Sequence, residues 1–380
     1  MSVYELARVP HITAGVGARE RIGLLAADGG AKHALFVADP GLKPTGLIEE
    51  TAAQLKKSAL ALTIFDSFKA EPTIAQADEA AAIARREKAD VVVCLGGGSA
   101  LDLGKAVAAI ATASASAEHY QLSANPFPAL GLRKICAPTT SGTGSETTRT
   151  SILTRADHAK VWLWGDAIKA DEVVLDPQLT VSLPAPLTAA TGVDALVHAV
   201  EAATNRNSSP AADLFAHEAI RLVGRHLVRA IEAPGDLSAR AALQWAAAYA
   251  GIAIDNCGTA IAHALGHAMG SLRPIHHGRA VGLAMLASLP WNVEGNPAFA
   301  ACAADLGGEA SGRGFIAAYD GLLRATGMKL SLAEEFSGVS APDLATQTAR
   351  PENASMRAAN RRISSEADLL ALAAAVLSVS

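Results

Sequence analysis

Asp194 and His198 stand four residues apart in TGVDALVHAVEAA, and His263 and His267 repeat that spacing in AIAHALGHAMG. A separation of four places both members on one face of a helix, one turn apart. His277 follows in RPIHHGRAVG, so four of the chain's 11 histidines fall between residues 263 and 277. A lone histidine on an apolar helix is ordinarily a hydrogen-bonded core residue. Two such pairs and a further histidine, set in Ala-rich helical sequence, are not accounted for in that way. Side chains projecting inward from facing helices are a recurring way to build a metal site. One carboxylate with several imidazoles suits a borderline divalent ion such as Fe2+, Zn2+, Ni2+ or Co2+. No thiolate is required. Cys94, Cys136, Cys257 and Cys302 form no C-x-x-C pair and most have apolar neighbours, which reads as small buried hydrophobes in a reducing compartment.

Two loops have the composition of a phosphate cradle. Gly96, Gly97, Gly98 and Ser99 lie between the run DVVVCL and the helical stretch ALDLGKAVAAIA. Consecutive glycines turn tightly and let the backbone approach a ligand closely. The helix start adds unpaired N–H groups and the positive end of a dipole. The spacing is not the G-x-G-x-x-G of a standard Rossmann dehydrogenase. The second loop, PTTSGTGSE at 138–146, follows another strand-like run and supplies hydroxyls and glycines where an open α/β sheet places a cofactor. Asp39 closes the run HALFVAD. A carboxylate there either accepts hydrogen bonds from ribose hydroxyls and repels a 2′-phosphate, or starts a turn before Pro40.

The elements that must carry these residues differ between the two parts of the chain. Strand-like runs at 33–39, 60–65, 90–95, 134–138 and 173–176 alternate with helical stretches at 46–57, 73–88 and 99–113. That alternation predicts β-α-β units and a mainly parallel sheet. After Leu183-Pro184-Ala185-Pro186 the texture becomes Ala- and Leu-rich with helical spacing, as in 187–204, 211–231, 237–254 and 366–377. The expected fold is an α/β dinucleotide-binding domain over 1–183 followed by an all-α metal-binding domain over 184–380. Residues from about 300 onward carry no motif.

Half of the 380 residues are hydrophobic and 18% are charged, which excludes a disordered or fibrous chain. The net charge of −5 gives no reason to expect nucleic acid or an anionic membrane as partner. The N-terminal sequence lacks the basic start and apolar run of a signal peptide. The apolar run at 280–291 is too short to span a bilayer. A cytoplasmic location is the expectation.

Four motifs, GGGSALDLGK (96–105), PTTSGTGSE (138–146), the stretch from Asp176-Pro177 to TGVDALVHAVE (176–201) and HALGHAMGSLRPIHHG (263–278), carry a resemblance to a known family. In family order over roughly residues 30 to 292, they resemble the iron-containing (group III) metal-dependent alcohol dehydrogenases of the dehydroquinate synthase-like fold. The resemblance implies that Asp194, His198, His263 and His277 are the metal ligands, with Fe2+ first and Zn2+ as the alternative. His267 is the implied non-ligand histidine beside the nicotinamide. Gly96, Gly97, Gly98 and Ser99 correspond to the pyrophosphate loop, with Asp102 toward the nicotinamide. Thr139, Thr140 and Thr143 correspond to the second cofactor loop, and Lys160 to a lysine at the nicotinamide ribose. Asp39 falls where an acid favours NAD over NADP. A homodimer is the family habit.

The sequence departs from the family at His276, beside the implied ligand His277, and in the pocket stretch Ile254, Asn256 and Cys257, where aromatic residues are usual. The departures bear on which substrate is used, not on the chemistry. The implied reaction is metal-dependent hydride transfer between NAD(H) and a small alcohol or aldehyde, with His267 relaying a proton. Three rivals are weighed against it. A maleylacetate reductase-like enzyme would have a disrupted ligand set, whereas all four positions are filled here. A dehydroquinate synthase-like cyclising lyase would need basic residues around a phosphate-bearing substrate, whereas 194–277 is poor in lysine. A non-catalytic binding protein on the same fold is set against the intact ligand set.

Overall fold

The computed structural model describes residues 3–68 and 71–379. Among them the chain divides into two units.

The first unit comprises Arg8–Thr140 and Gly144–Leu183. Its six-stranded sheet contains β1 (His11–Ala14), β2 (His33–Ala38), β3 (Ala61–Phe65), β4 (Val91–Gly96), β5 (Arg133–Pro138) and β8 (Glu172–Leu175), in the order β1-β8-β5-β4-β2-β3. Every pairing is parallel. Apart from His33, β2 is buried along its length, and β4 is buried throughout. Nearly unbroken apolar runs are what a sheet covered on both faces requires. The helices of this unit are α1 (Ile22–Ala27), α2 (Leu47–Lys57), α3 (Ile74–Arg86), α4 (Gly98–Ala111) and α5 (Ala117–Tyr120). Thr73 and Gln76 form a reciprocal capping box at the start of α3. Gly104 of α4 lies so close to β4 that a Cβ there would stand 2.2 Å from the Cys94 sulfur. From β2 the chain passes to β3 on one side and then to β4 on the other. The switch point of the sheet is therefore at β2 and β4, whose carboxyl ends carry Asp39 and Gly96–Ser99.

Two features of this unit were not expected from the sequence. β6 (Thr150–Thr154) and β7 (Lys160–Trp164) form a separate antiparallel hairpin. Their burial alternates over the first four residues of each strand, too short a stretch for a two-residue period to stand out in the sequence. β1 is a four-residue edge strand paired on one side with β8, too short to stand out by composition.

The second unit comprises the chain up to Ala7, Ser141–Thr143, and everything from Pro184 onward. Its helices are α6 (Ala185–Thr204), α7 (Pro210–Glu232), α8 (Leu237–Cys257), α9 (Ile261–Leu272), α10 (His277–Asn292), α11 (Ala298–Asp305), α12 (Gly312–Ala325), α13 (Ala341–Thr348), α14 (Ala354–Ala359) and α15 (Glu366–Leu377). No strand occurs in this unit among the described residues, as the helical periodicity predicts. Ser209 caps α7 ahead of Pro210, and Asp236 caps α8. α6 is buried almost throughout, so its polar side chains face other helices rather than water. The residues beyond 300, silent as motifs, contribute Phe315, Tyr319, Leu323, Leu369 and Val376 to the same core. Ser141–Thr143 joins this unit because Gly142 packs on α6, where a Cβ would meet Thr191 at 2.7 Å. Ala7 joins it through a 2.7 Å hydrogen bond from its N–H to Asn256 Oδ1. Among the described residues, no helix is long and apolar enough to cross a membrane.

Candidate metal centre

Three helices of the second unit bring their polar side chains to one point. Asp194 and His198 come from the middle of α6, His263 from the first turn of α9, and His277 from the first residue of α10. Asp194 Oδ1 lies 3.7 Å from His198 Nδ1, 3.7 Å from His263 Nε2 and 3.6 Å from His277 Nε2. The ligand atoms of Asp194, His263 and His277 all fall within 4.8 Å of one another. His198 stands outside that mutual triple, but it lies beside Asp194 and its ring stacks on His263 at 4.3 Å between centroids.

These separations are too long for hydrogen bonds. Asp194 Oδ1, His198 Nδ1 and His263 Nε2 are buried and have no hydrogen-bond partner. Burying a carboxylate without a partner costs several kcal/mol. Donors about 2.1 Å from a tetrahedral ion stand roughly 3.4 Å from one another, close to the 3.6–3.7 Å that separates Asp194 Oδ1 from each of the three imidazole nitrogens. The donor set and its orphaned atoms therefore fit a divalent cation.

The electrostatics agree. Burial works to raise the Asp194 pKa, but His198, His277 and His263 together hold it well below the usual carboxylate range. Burial pushes His198 down to about 4, leaving a neutral imidazole. His263 is also buried, but Glu201 and Asp194 outweigh that and raise it to about 9.

Backbone contact sets the approach of the helices. A Cβ on Gly278 would lie 2.0 Å from the Ala190 carbonyl oxygen and 3.2 Å from Asp194 Cβ, so only glycine lets the start of α10 reach α6. His267 lies one turn beyond His263, its ring 5.3 Å from that of His277 and 6.2 Å from that of His263. It flanks the cluster without entering it. His276 is exposed at the start of α10.

Glu201 belongs to the centre and was not singled out in the sequence. It is 1% exposed and accepts a 2.7 Å hydrogen bond from His263 Nδ1. The signal was available, since Asp194, His198 and Glu201 follow one another at i, i+4 and i+7 on the face of α6.

The first unit holds the remaining candidates. Asp39 and the glycine loop are adjacent at the switch point: the Asp39 N–H donates to the Leu95 carbonyl at 2.9 Å, and a Cβ on Gly96 would meet Asp39 Cβ at 2.7 Å. Asp39 Oδ1 accepts from the Gly41 N–H at 2.9 Å, so the turn-forming role is present. α4 starts at Gly98 with no side-chain cap. Thr139 N–H donates to the Gly96 carbonyl at 2.9 Å, and Thr140 lies against Gly97, so the two loops meet. Thr143 is part-buried in the segment that packs with α6. Lys160 Nζ pairs with Glu71 at 2.7 Å.

Asp102 is engaged inside the protein. Its carboxylate accepts from Ser145 Oγ at 2.5 Å and from the Ile152 N–H at 3.1 Å. Burial raises its pKa, with Lys105 opposing. The fully buried Lys105 donates to the carbonyls of Ser145 at 2.6 Å and Thr150 at 2.5 Å. This pair fastens α4 to the turn at the end of the second loop and to β6. Glu146 lies within that turn, 2% exposed, and burial raises it to about 7. The four cysteines are free and buried.

Comparison with known proteins gives a consistent result. The family profile for iron-containing alcohol dehydrogenase matches residues 10–177, and that for the Fe-containing alcohol dehydrogenase family, C-terminal, matches residues 188–377. The chain is 39% identical over 280 residues to long-chain-alcohol dehydrogenase 1 of Geobacillus thermodenitrificans, covering 73% of this chain and 71% of that one. It is 34% identical over 270 residues to the NAD-dependent methanol dehydrogenase of Bacillus methanolicus, covering 71% of each. Among solved structures it is similar to the archaeal halo-thermophilic Red Sea brine pool alcohol dehydrogenase (TM-score 0.92, 26% identity, 99% of each chain). It is also similar to a 1,3-propanediol oxidoreductase (TM-score 0.90, 30% identity, 99% of this chain and 100% of that one).

Proposed function

The chain belongs to the iron-containing alcohol dehydrogenase family, and on that footing we propose that it is a metal-dependent oxidoreductase transferring a hydride between NAD(H) and a small alcohol or aldehyde. The observation that carries the reading is the buried Asp194 oxygen, without a hydrogen bond and with three imidazole nitrogens 3.6–3.7 Å away. Asp194, His198, His263 and His277 would hold the cation. A divalent ion bound there supplies Lewis acidity to the oxygen of the alcohol or aldehyde.

The chain's own residues do the rest. Glu201 fixes the His263 ring. His267, beside His277 and outside the cluster, is placed to take up or return a proton at its imidazole. Gly96–Ser99 and the start of α4 offer backbone N–H groups to a pyrophosphate. Thr139, Thr140 and Thr143 supply the second cofactor loop. Asp39, at the switch point, has Oδ2 to offer a ribose hydroxyl while Oδ1 holds the turn. Asp102, with Lys105, keeps the two loops in register. Lys160 serves the ribose by exchanging its partner Glu71. We further infer a cytoplasmic homodimer that does not bind nucleic acid, consistent with the net charge of −5 and the free thiols.

The test is an NADH-oxidation screen over small aldehydes with Fe2+, Zn2+ or a chelator present. Turnover that depends on added metal is expected; equal turnover in fully chelated protein refutes the metal reading. NAD is expected to be preferred over NADP, and Asp39→Gly to narrow that preference. Tighter NADP binding by the unmodified protein would overturn the role of Asp39.

A further inference from the structure

We propose that Glu201 is a positioning residue that sets the tautomer of His263 and thereby the affinity of the centre for its metal, an inference that rests on reading the centre as a metal site. Both oxygens of Glu201 are filled by donors. Oε1 accepts from the backbone N–H groups of Ala262 at 2.7 Å and His263 at 3.3 Å. Oε2 accepts from the Ala260 N–H at 2.7 Å and from His263 Nδ1 at 2.7 Å. Three of these groups belong to the start of α9, which has no side-chain cap of its own. Such N–H groups need an outside acceptor when buried.

A carboxylate serves all four positions only if His263 Nδ1 carries a proton. In the neutral form that a metal ligand must take, an imidazole has a single N–H, so a proton kept on Nδ1 leaves the lone pair on Nε2. That is the nitrogen 3.7 Å from Asp194 Oδ1 and without a hydrogen-bond partner. Glu201 thus selects the form of His263 that a cation at Asp194 needs. It also fixes the ring, through the helix that carries it and through the ring itself. Loss of such a partner weakens metal binding about 10- to 100-fold in comparable arrangements.

Glu201→Gln separates this role from simple helix capping. An amide keeps one acceptor and turns the other into an NH2 donor. On the Ala262 side, that NH2 opposes two backbone N–H groups. On the other side it opposes the Ala260 N–H alone, because His263 can move its proton to Nε2 and accept at Nδ1. The second arrangement is the less costly, and it puts an N–H on the nitrogen that faces the metal.

Co2+ binding, followed by its visible ligand-field absorption in competition with a chelator, reads the effect. The melting temperature of the metal-free protein is measured alongside. Glu201→Gln is expected to bind Co2+ about 10- to 100-fold more weakly than the unmodified protein. An unchanged affinity overturns the proposal, even with a lowered melting temperature, because Glu201 would then be a helix cap only. If the variant does not fold, 15N NMR of the unmodified protein loaded with Zn2+ decides. A proton on His263 Nδ1 is expected, and an unprotonated Nδ1 overturns the assignment. Unmodified protein that fails to bind Co2+ refutes the metal reading itself, and the proposal with it.

Discussion

Each polar side chain at the centre is held by a partner or aimed at a common point, and single substitutions separate the two cases. His263→Ala or His277→Ala removes a nitrogen aimed at that point. Either is expected to abolish metal binding and turnover, checked by metal analysis and NADH oxidation; retained metal in His277→Ala would exclude it as a ligand. Glu146 is different, because it is a buried carboxyl lifted by desolvation to about 7 from an ordinary value near 4.5. A raised carboxyl pKa means that the folded state holds its proton longer than the unfolded state. Its contribution to stability is present at low pH and declines as pH rises from about 4.5 through about 7. Glu146→Gln keeps the shape without the titration. It is expected to gain up to a few kcal/mol at pH 8 over the unmodified protein and nothing at pH 4. Urea unfolding at the two pH values checks this, and an equal difference at both would be inconsistent with it.

Among the elements, the geometry depends on how closely the start of α10 meets α6. Gly278→Ala puts a methyl 2.0 Å from the Ala190 carbonyl oxygen, and neither backbone can retreat as a flexible side chain would. A loss of about 1–3 kcal/mol is expected, together with weaker metal binding, because His277 is the next residue. Urea unfolding and metal titration of the same sample test the two effects. The parallel strands were legible as apolar runs because both faces of the sheet are covered. The hairpin of β6 and β7 was not, since its alternating burial covers only the first four residues of each strand. Of the two sequence readings of Asp39, the structure shows the turn, with one oxygen holding Gly41; its place beside the glycine loop supports the proposed ribose contact.

For the whole molecule, the candidate metal ligands all belong to the helical unit, whereas Asp39 and Gly96–Ser99 belong to the sheet unit. Binding to the native state alone stabilises it by mass action, about 4 kcal/mol when free metal is 1,000 times its dissociation constant. Dialysis against a chelator is therefore expected to lower the melting temperature while NADH binding, followed by fluorescence, persists. Loss of both together would show that the cofactor loops depend on the metal.

The sequence by itself determined which side chains share a face, because helical period is local. Asp194 with His198, and His263 with His267, are paired by a spacing of four whatever the helices pack against. It likewise determined the alternation that builds the parallel sheet and the glycine loop at the end of β4. Tertiary structure alone decided that residues as distant as Asp194 and His277 aim at one point, that His267 stands beside that point rather than in it, and that Glu201 reaches the start of α9. Those outcomes follow from how closely helices approach and how they are rotated, set by contacts such as Gly278 on Ala190, and no local period encodes them.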